Sequence, residues 1–84
     1  MDRDKGSKEL DPKKVVGLKI REARKEMGLT QTQFGAMSHY DKAYICRIEK
    51  GSMSLNIEKL VTFSKYLKKP VYYFLSDFDE KNEN

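Results

Sequence analysis

The sequence is poor in the residues that build metal sites, disulfide scaffolds and membrane spans. It has one cysteine, Cys46, and one histidine, His39, which excludes an internal disulfide and a zinc cluster of cysteine and histidine ligands. The longest uninterrupted apolar run is Val71–Leu75, far below the roughly 20 residues of a membrane-spanning helix. No apolar segment typical of a secretory signal follows Met1. We therefore expect a cytoplasmic protein with no metal and no small-molecule cofactor.

The sequence also lacks the residue arrangements that are typical of an active site. It contains no nucleophile with an adjacent base, no carboxylate pair at helical spacing and no glycine-rich phosphate loop. Its 84 residues are enough for one small domain, and five Tyr and four Phe supply bulk for a thin core. These features predict a single-domain protein that is not an enzyme.

Basic residues outnumber acidic ones, but the charge is unevenly distributed along the chain. Seventeen basic residues against thirteen acidic ones give a net charge of +4. Residues 1–26 carry +3 and residues 27–76 carry +4, whereas residues 77–84 carry −3, so a basic body precedes an acidic end. The predicted divisions are a flexible N-terminal arm (1–10), a folded domain (11–78) and a flexible acidic tail (79–84).

Capping residues predict five short helices, and no strand pattern competes with them. Asp11, followed by proline, begins the first helix, and Thr30 begins the second with a capping box. Asp41 and Asn56 are side-chain caps for the third and fourth helices, and Pro70 precedes the fifth. The sequence therefore predicts an all-α, five-helix bundle.

The apolar spacing predicts the ends and the core of these helices. The first helix is expected to end near Met27 at Gly28, the third to span Lys42–Lys50, and the fifth to span Val71–Phe78. Gly35 in the second helix is small enough to let another helix approach closely, and we expect it to admit a bulky neighbour such as Tyr40. The expected core residues are Val16, Ile20, Ala23, Phe34, Met37, Ile45, Ile48, Leu60, Ser64 and Leu67.

The second and third helices, joined by a turn at His39 and Tyr40, have the arrangement of a helix-turn-helix, whose second helix enters the DNA major groove. Periodicity and charge alone fit an ordinary five-helix bundle with a solvated basic face about equally well. The residues expected to face outward from the third helix are Lys42, Ala43, Cys46, Arg47 and Lys50.

Particular residues favour the helix-turn-helix. Gly28-Leu29-Thr30-Gln31, Asp41-Lys42-Ala43-Tyr44-Ile45 and Ile48-Glu49-Lys50-Gly51, with Ile20-Arg21 and Arg24 upstream, stand at the spacings of one family. Over residues 15–76 the chain closely resembles the Cro and lambda-repressor family of helix-turn-helix proteins. The segment from Asp41 to Ile45 is most similar to restriction–modification controller proteins within that family.

The resemblance implies roles for residues that touch DNA. Lys42, Ala43 and Arg47 match the base-reading positions, where arginine contacts guanine in a bidentate way and a methyl group meets a thymine methyl. Gln31 matches a phosphate-binding glutamine. The further phosphate-binding residues expected are Tyr44, Lys50 and Ser52. A packing role for the Tyr44 ring is an equally good interpretation.

The resemblance also implies structural roles. Arg24 and Glu49 match a pair that orients the third helix near the DNA backbone. His39 occupies a turn position where the family prefers glycine, so we expect a positive φ there. Cys46 is interpreted as an inert, small packing residue.

These features together predict a sequence-specific, double-stranded-DNA-binding regulator of transcription, associated with the nucleoid. One domain of this size covers too few base pairs for selectivity, so a homodimer on a palindromic operator is expected. Tyr72, Tyr73 and Phe78 are the predicted dimer interface, with Phe74 adding aromatic surface. For any one of these rings, closing the core is an equally good interpretation. The alternative is a protein-interaction module or an antitoxin subunit that uses the same fold. Steep weakening of binding by salt would favour DNA over a protein partner.

Overall fold

The computed structural model describes residues 11–78 and contains five α-helices and no strand in that range. The predicted arm (1–10) and acidic tail (79–84) lie outside the described residues. The all-α, five-helix prediction is confirmed, and no helix within residues 11–78 is long and apolar enough to cross a membrane. The helices are α1 (Pro12–Glu26), α2 (Gln31–Met37), α3 (Lys42–Lys50), α4 (Ile57–Leu67) and α5 (Val71–Leu75), followed by a 3₁₀ turn (Ser76–Phe78).

The first four helices begin at the predicted capping residues. Thr30 and Gln33 form a complete capping box, with reciprocal side-chain to backbone bonds of 3.0 and 2.8 Å. Asp11, Asp41 and Asn56 each accept one bond from an amide of the first turn, at 3.0, 2.9 and 2.8 Å respectively. Side chains therefore satisfy amides that the start of each helix leaves free.

The C-terminal ends of the helices agree only partly with the sequence-based expectation. Gly28 (φ 74°) ends α1 and Gly51 (φ 78°) ends α3, as predicted. α4, however, ends at Lys68, which is left-handed at φ 61° without being a glycine. The prediction of α-helix up to Phe78 was too long, because α5 ends at Leu75. The Ser76 hydroxyl donates to the Tyr73 carbonyl at 3.0 Å, a local bond that competes with continued helix.

Most of the predicted core is buried, but Met37 is only partly buried and two aromatic rings are placed differently. Phe63 was not predicted as a core residue, yet it is fully buried, with its ring 5.1 Å from that of Phe34 and 5.7 Å from that of Tyr40. Phe74, which was assigned to the dimer surface, is fully buried instead. The core residues are Val16, Ile20, Ala23, Phe34, Ile45, Ile48, Leu60, Phe63, Leu67 and Phe74.

Two glycines set how closely α3 lies to its neighbours. A Cβ atom on Gly17 would meet the Ile48 carbonyl oxygen and would lie 2.7 Å from that of Glu49, so the backbones of α1 and α3 are in direct contact. A Cβ atom on Gly35 would lie 2.9 Å from the carbonyl carbon of Asp41. Gly35 therefore admits the backbone at the start of α3, and not the Tyr40 ring as a bulky neighbour. α3 is held close to both α1 and α2.

Candidate nucleic-acid interface

α3 has one buried side and one exposed side. Ile45 is fully buried and Ile48 is 1% exposed, so these two residues fix the helix to the body of the protein. Cys46 is partly buried and has no disulfide partner. The predicted reading residues Lys42, Ala43 and Arg47 are all exposed, as is Lys50.

The exposed side of α3 is basic because three cationic side chains lie on it, whereas the one acidic residue of the helix, Glu49, faces inward. Asp41 caps the helix through its carboxylate, which accepts the Tyr44 amide. Glu49 is buried and faces inward. Lys42, Arg47 and Lys50 therefore present positive charge without a neighbouring acidic residue of α3 on the same exposed face.

Arg24 and Glu49 form the predicted pair. Arg24 Nε donates to Glu49 Oε2 at 2.6 Å, and Arg24 Nη2 donates to Glu49 Oε1 at 3.0 Å, which makes the contact bidentate. The side chains are 7% and 3% exposed. Arg24 Nη1 also donates to the Leu29 carbonyl oxygen at 2.7 Å, so the guanidinium connects α1, the loop before α2, and α3.

Gln31, the predicted phosphate-binding residue, is connected to this pair. Its Nε2 donates to Glu49 Oε1 at 3.1 Å, across 18 residues of sequence, and the residue is partly exposed. This bond was not foreseen, since nothing in the spacing of Gln31 and Glu49 distinguishes a contact between them. It adds α2 to the elements that the Arg24–Glu49 pair connects.

The Tyr44 side chain packs within the domain. Its hydroxyl is buried without a hydrogen-bond partner among the described residues. Its ring stacks on that of Tyr40, with centroids 4.2 Å apart, and the Lys59 ammonium lies 5.4 Å from its centroid. The neighbouring Tyr44 hydroxyl, with a smaller contribution from Tyr40, raises the pKa of Lys59. Of the two interpretations of Tyr44, the arrangement favours packing.

In the loop after α3, both hydrogen-bond donors of Ser52 are bonded within the domain. The Ser52 hydroxyl donates to the Arg47 carbonyl at 3.1 Å, and its backbone amide donates to the same oxygen at 3.0 Å. Ser52 is exposed, but a bond from this hydroxyl to a phosphate would require the first of these bonds to break. In this arrangement Ser52 closes the loop.

The turn between α2 and α3 has the predicted left-handed residue. His39 has φ 67°, and the next residue, Tyr40, donates its backbone amide to the Gly35 carbonyl at 2.7 Å. Ser38 is buried, with its hydroxyl donating to the Phe34 carbonyl at 2.8 Å. Because these bonds lie within the turn, they hold the two helices at a fixed angle even though His39 replaces the usual glycine.

A helix-turn-helix family model, HTH_3, matches residues 20–74. The chain belongs to this family. The resemblance identified from the sequence is thereby confirmed. A search of curated proteins gives no match.

Solved structures of other regulators have the same fold. The clp gene regulator ClgR from C. glutamicum matches at a TM-score of 0.74 and 21% identity, over 83% of this chain and 90% of its own. The restriction-modification controller protein C.AhdI from Aeromonas hydrophila matches at 0.67 and 21%, over 73% and 92%. An HTH_3 family transcriptional regulator from Vibrio cholerae matches at 0.70 and 23%, over 81% of this chain and 39% of its own. The fold of this HTH_3 protein is that of transcriptional regulators.

The three residues predicted for dimerisation occupy different surroundings in this HTH_3 protein. Tyr72 is 74% exposed, whereas Phe78 is partly buried. Tyr73 lies between two lysines, with the Lys19 and Lys69 ammonium groups 5.1 and 4.8 Å from its ring centroid. Tyr73 therefore contributes to the contact of α5 with the rest of the domain.

An apolar groove that was not predicted from the sequence lies beside α5. Ile57 is 66% exposed and Leu75 is 39% exposed, and both line a cavity of about 280 Å³. One pattern could have indicated Ile57, because it extends the buried stripe of Leu60, Ser64 and Leu67 by one helical turn. The residues that line this apolar groove are Pro12, Lys13, Val16, Gly17, Ile48, Met53, Ser54, Leu55, Asn56, Ile57, Leu60 and Leu75.

Proposed function

We propose that this protein is a sequence-specific, double-stranded-DNA-binding regulator of transcription that binds a palindromic operator as a homodimer. The observation that carries the proposal is the two-sided α3, with Ile45 and Ile48 buried and Lys42, Ala43 and Arg47 exposed. A helix of this kind fits the major groove, where each base pair displays a distinct pattern of donors, acceptors and methyl groups. The protein acts at the nucleoid, in the cytoplasm.

Three residues are proposed to read bases. Arg47 lies in the middle of the exposed side of α3, and its planar guanidinium suits a bidentate contact with guanine. Lys42, at the start of α3, donates to guanine or to a flanking phosphate. Ala43 offers a methyl group to a thymine methyl.

The phosphate contacts are proposed to come mainly from Gln31 and Lys50. Both side chains are accessible, and they belong to neighbouring elements, α2 and the end of α3. Ser52 and Tyr44 are weaker candidates because the donor of one is occupied and the hydroxyl of the other is buried. Phosphate contacts set the position of the helix, whereas base contacts set the preferred sequence.

The homodimer is proposed to form through one row of residues at the C-terminal end of the domain. Tyr72, Leu75 and Phe78 follow one another at intervals of three, so they share one face of α5 and the turn after it. Leu75 and Ile57 also line the apolar groove, which continues this face. Doubling the domain across a two-fold axis places half-sites ~34–36 Å apart, one DNA turn.

Within the family, the resemblance of Asp41–Ile45 to controller proteins supports the narrower proposal of a restriction–modification controller. In this role we propose that the protein regulates transcription from the DNA beside its own gene. A reporter driven by the DNA upstream of this chain's gene should change its expression when the protein is supplied. No response from that DNA, combined with specific binding elsewhere, would contradict the controller role and leave the DNA-binding role intact.

The proposed function is tested by selecting bound sites from a random DNA pool. We expect a two-fold symmetric motif, and steep loss of affinity as salt rises, because phosphate contacts release counterions. Arg47→Ala should weaken operator binding by about 1–3 kcal/mol and relax the preference at one base pair, whereas Gln31→Ala should weaken all sequences alike. No enriched motif and no salt dependence would favour a protein-interaction module instead.

The dimer is tested by sedimentation of wild type and of Tyr72→Ser. The variant should dissociate at lower protein concentrations than wild type, because it replaces an exposed aromatic side chain of the row with a small polar one. Thr62→Ala, at an exposed position of α4, is the matched control and should sediment as wild type does. A wild-type monomer with and without DNA would contradict the dimer.

A further inference from the structure

We propose that Glu49 is a positioning residue for DNA binding, which turns the Gln31 side-chain amide so that its second N–H points to a DNA phosphate. This inference rests on the proposed function, because it concerns how Gln31 binds the DNA backbone. It assigns to Glu49 a role on α2 that is separate from its pairing with Arg24.

The chemistry of a carboxylate decides which way the Gln31 amide faces. A glutamine side chain can present either its carbonyl oxygen or its NH₂ group, but an ionised carboxylate only accepts hydrogen bonds. Glu49 Oε1 lies 3.1 Å from Gln31 Nε2, so the amide nitrogen faces the carboxylate. The Gln31 amide therefore cannot flip, because its carbonyl oxygen would then face the Glu49 carboxylate, which has no hydrogen to donate.

One of the two N–H groups of Gln31 remains available. Nε2 carries two hydrogens, and the bond to Glu49 uses one of them. Within residues 11–78 the Gln31 side chain makes no other hydrogen bond, and the residue is partly exposed at the α2 end of the predicted interface. The second hydrogen is therefore free to donate to an anion outside the domain.

Arg24 makes this arrangement compatible with DNA. A lone carboxylate so close to the backbone would repel phosphate, but Glu49 is held by two bonds from Arg24, which leaves the pair with no net charge. The side chains of the pair are only 7% and 3% exposed, so Glu49 is fixed in place before DNA arrives. The hydrogen bond to Glu49 therefore also fixes the Gln31 side chain.

Fixing the side chain in advance increases affinity. Immobilising a flexible side chain at an interface costs about 0.5–1.5 kcal/mol, which corresponds to about two- to tenfold in affinity. Because Gln31 is already positioned in the folded protein, the entropy of its side chain is lost on folding and not on DNA binding. Since Glu49 belongs to α3, the phosphate donor is also tied to the helix that reads bases.

The test is a double-mutant cycle on DNA affinity. Gln31→Ala is measured in wild type and in the variant Arg24→Met/Glu49→Met, which removes the charged pair together and leaves no unpaired buried charge. We expect the loss caused by Gln31→Ala to be about two- to tenfold smaller in the double-methionine background. Lys42→Ala, at the opposite end of α3, is the control, and its effect should be the same in both backgrounds.

A second measurement examines Gln31 without DNA. In nitrogen–proton NMR spectra, one side-chain amide proton of Gln31 should exchange with solvent more slowly than those of Gln33. The Gln33 side chain is the matched control because its oxygen accepts the Thr30 amide, whereas its NH₂ group makes no hydrogen bond within residues 11–78. The protection of Gln31 should disappear in the double-methionine variant.

The outcomes separate this inference from the proposed function. Equal effects of Gln31→Ala in both backgrounds, with specific DNA binding intact, would overturn the positioning role alone. Equal exchange of the Gln31 and Gln33 protons in wild type would also overturn it. Absence of DNA binding by wild-type protein would overturn the proposed function and the positioning role together.

Discussion

The two ends of this small domain are held together by different kinds of contact. Around α3, a buried bidentate ion pair, the hydrogen bond from Gln31 to Glu49 and direct backbone contact join α1, α2 and α3. Around α5, Phe74 is the one fully buried side chain of the helix, and Pro70 supplies no side-chain cap. Val71 and Tyr73 are only partly buried against the core, and the ion pairs of Lys19 and Lys69 are partly exposed. The end proposed to read DNA is therefore rigid, whereas the end proposed to dimerise is more loosely attached.

The largest expected effect comes from breaking the buried pair on one side only. Arg24→Ala leaves Glu49 buried and unpaired, so we expect a loss of about 3–5 kcal/mol in the free energy of unfolding. Arg24→Met/Glu49→Met should lose far less, because no charge is left buried. Urea denaturation measures both. A small loss in the single variant would show that the α3 end is not held by this pair.

A smaller loss is expected where α1 meets α3. Gly17→Ala inserts a methyl group against the carbonyls of Ile48 and Glu49, and overpacking of this kind costs about 1–3 kcal/mol. The backbone of α3 must shift to relieve it, so DNA affinity should fall as well. Glu22→Ala, at an exposed position of the same helix, is the control. A Gly17→Ala variant as stable as wild type would contradict the direct backbone contact.

Removing the capping box of α2 should cost less stability than the Gly17→Ala substitution. Thr30→Ala removes one of the two reciprocal bonds with Gln33, and such a cap contributes about 1 kcal/mol to stability. Thr32→Ala, two residues further in the same helix and exposed, should change thermal stability little. Equal effects of the two substitutions would mean that the cap is not formed in solution.

The smallest effect is expected at the α5 end. Lys69→Ala removes an ion pair with Glu26 of 2.8 Å that lies at the surface, so the loss should be slight and should vanish at high salt. The bond to Glu26 raises the pKa of Lys69 above its usual 10.5. Any stabilisation is therefore complete below pH 10.5 and is lost as the pH rises through the raised pKa. A large, salt-independent loss would remove the contrast between the two ends.

Helix positions followed from the sequence because they depend on local chemistry. Caps at Asp11, Thr30, Asp41 and Asn56 act on amides two or three residues away, so their effect can be deduced from the order of residues. Contacts between distant segments could not be deduced in this way. The Gln31–Glu49 bond arises only when separate helices come together. Phe63, by contrast, lies three residues after Leu60 and four before Leu67, so helical spacing could have predicted its burial.

The proposed dimer surface could not be deduced from the sequence either. An aromatic run such as Tyr72, Tyr73 and Phe74 indicates burial without indicating against what. Whether each ring meets the core, a lysine or solvent depends on the angle at which α5 meets α1, and a short helix without a side-chain cap leaves that angle open in the sequence. Lys68 (φ 61°) was missed because a left-handed residue is usually glycine.

The contact at Gly17 has a consequence for altering the specificity of this protein. The distance between α1 and α3 is set by main-chain atoms, so the depth to which α3 protrudes does not depend on the side chains at its outer surface. Substitutions at Lys42, Ala43 and Arg47 should therefore leave the position of α3 in the domain unchanged. Under the proposed function, the residues that set the shape of the domain are therefore separate from the residues that set its preferred DNA sequence.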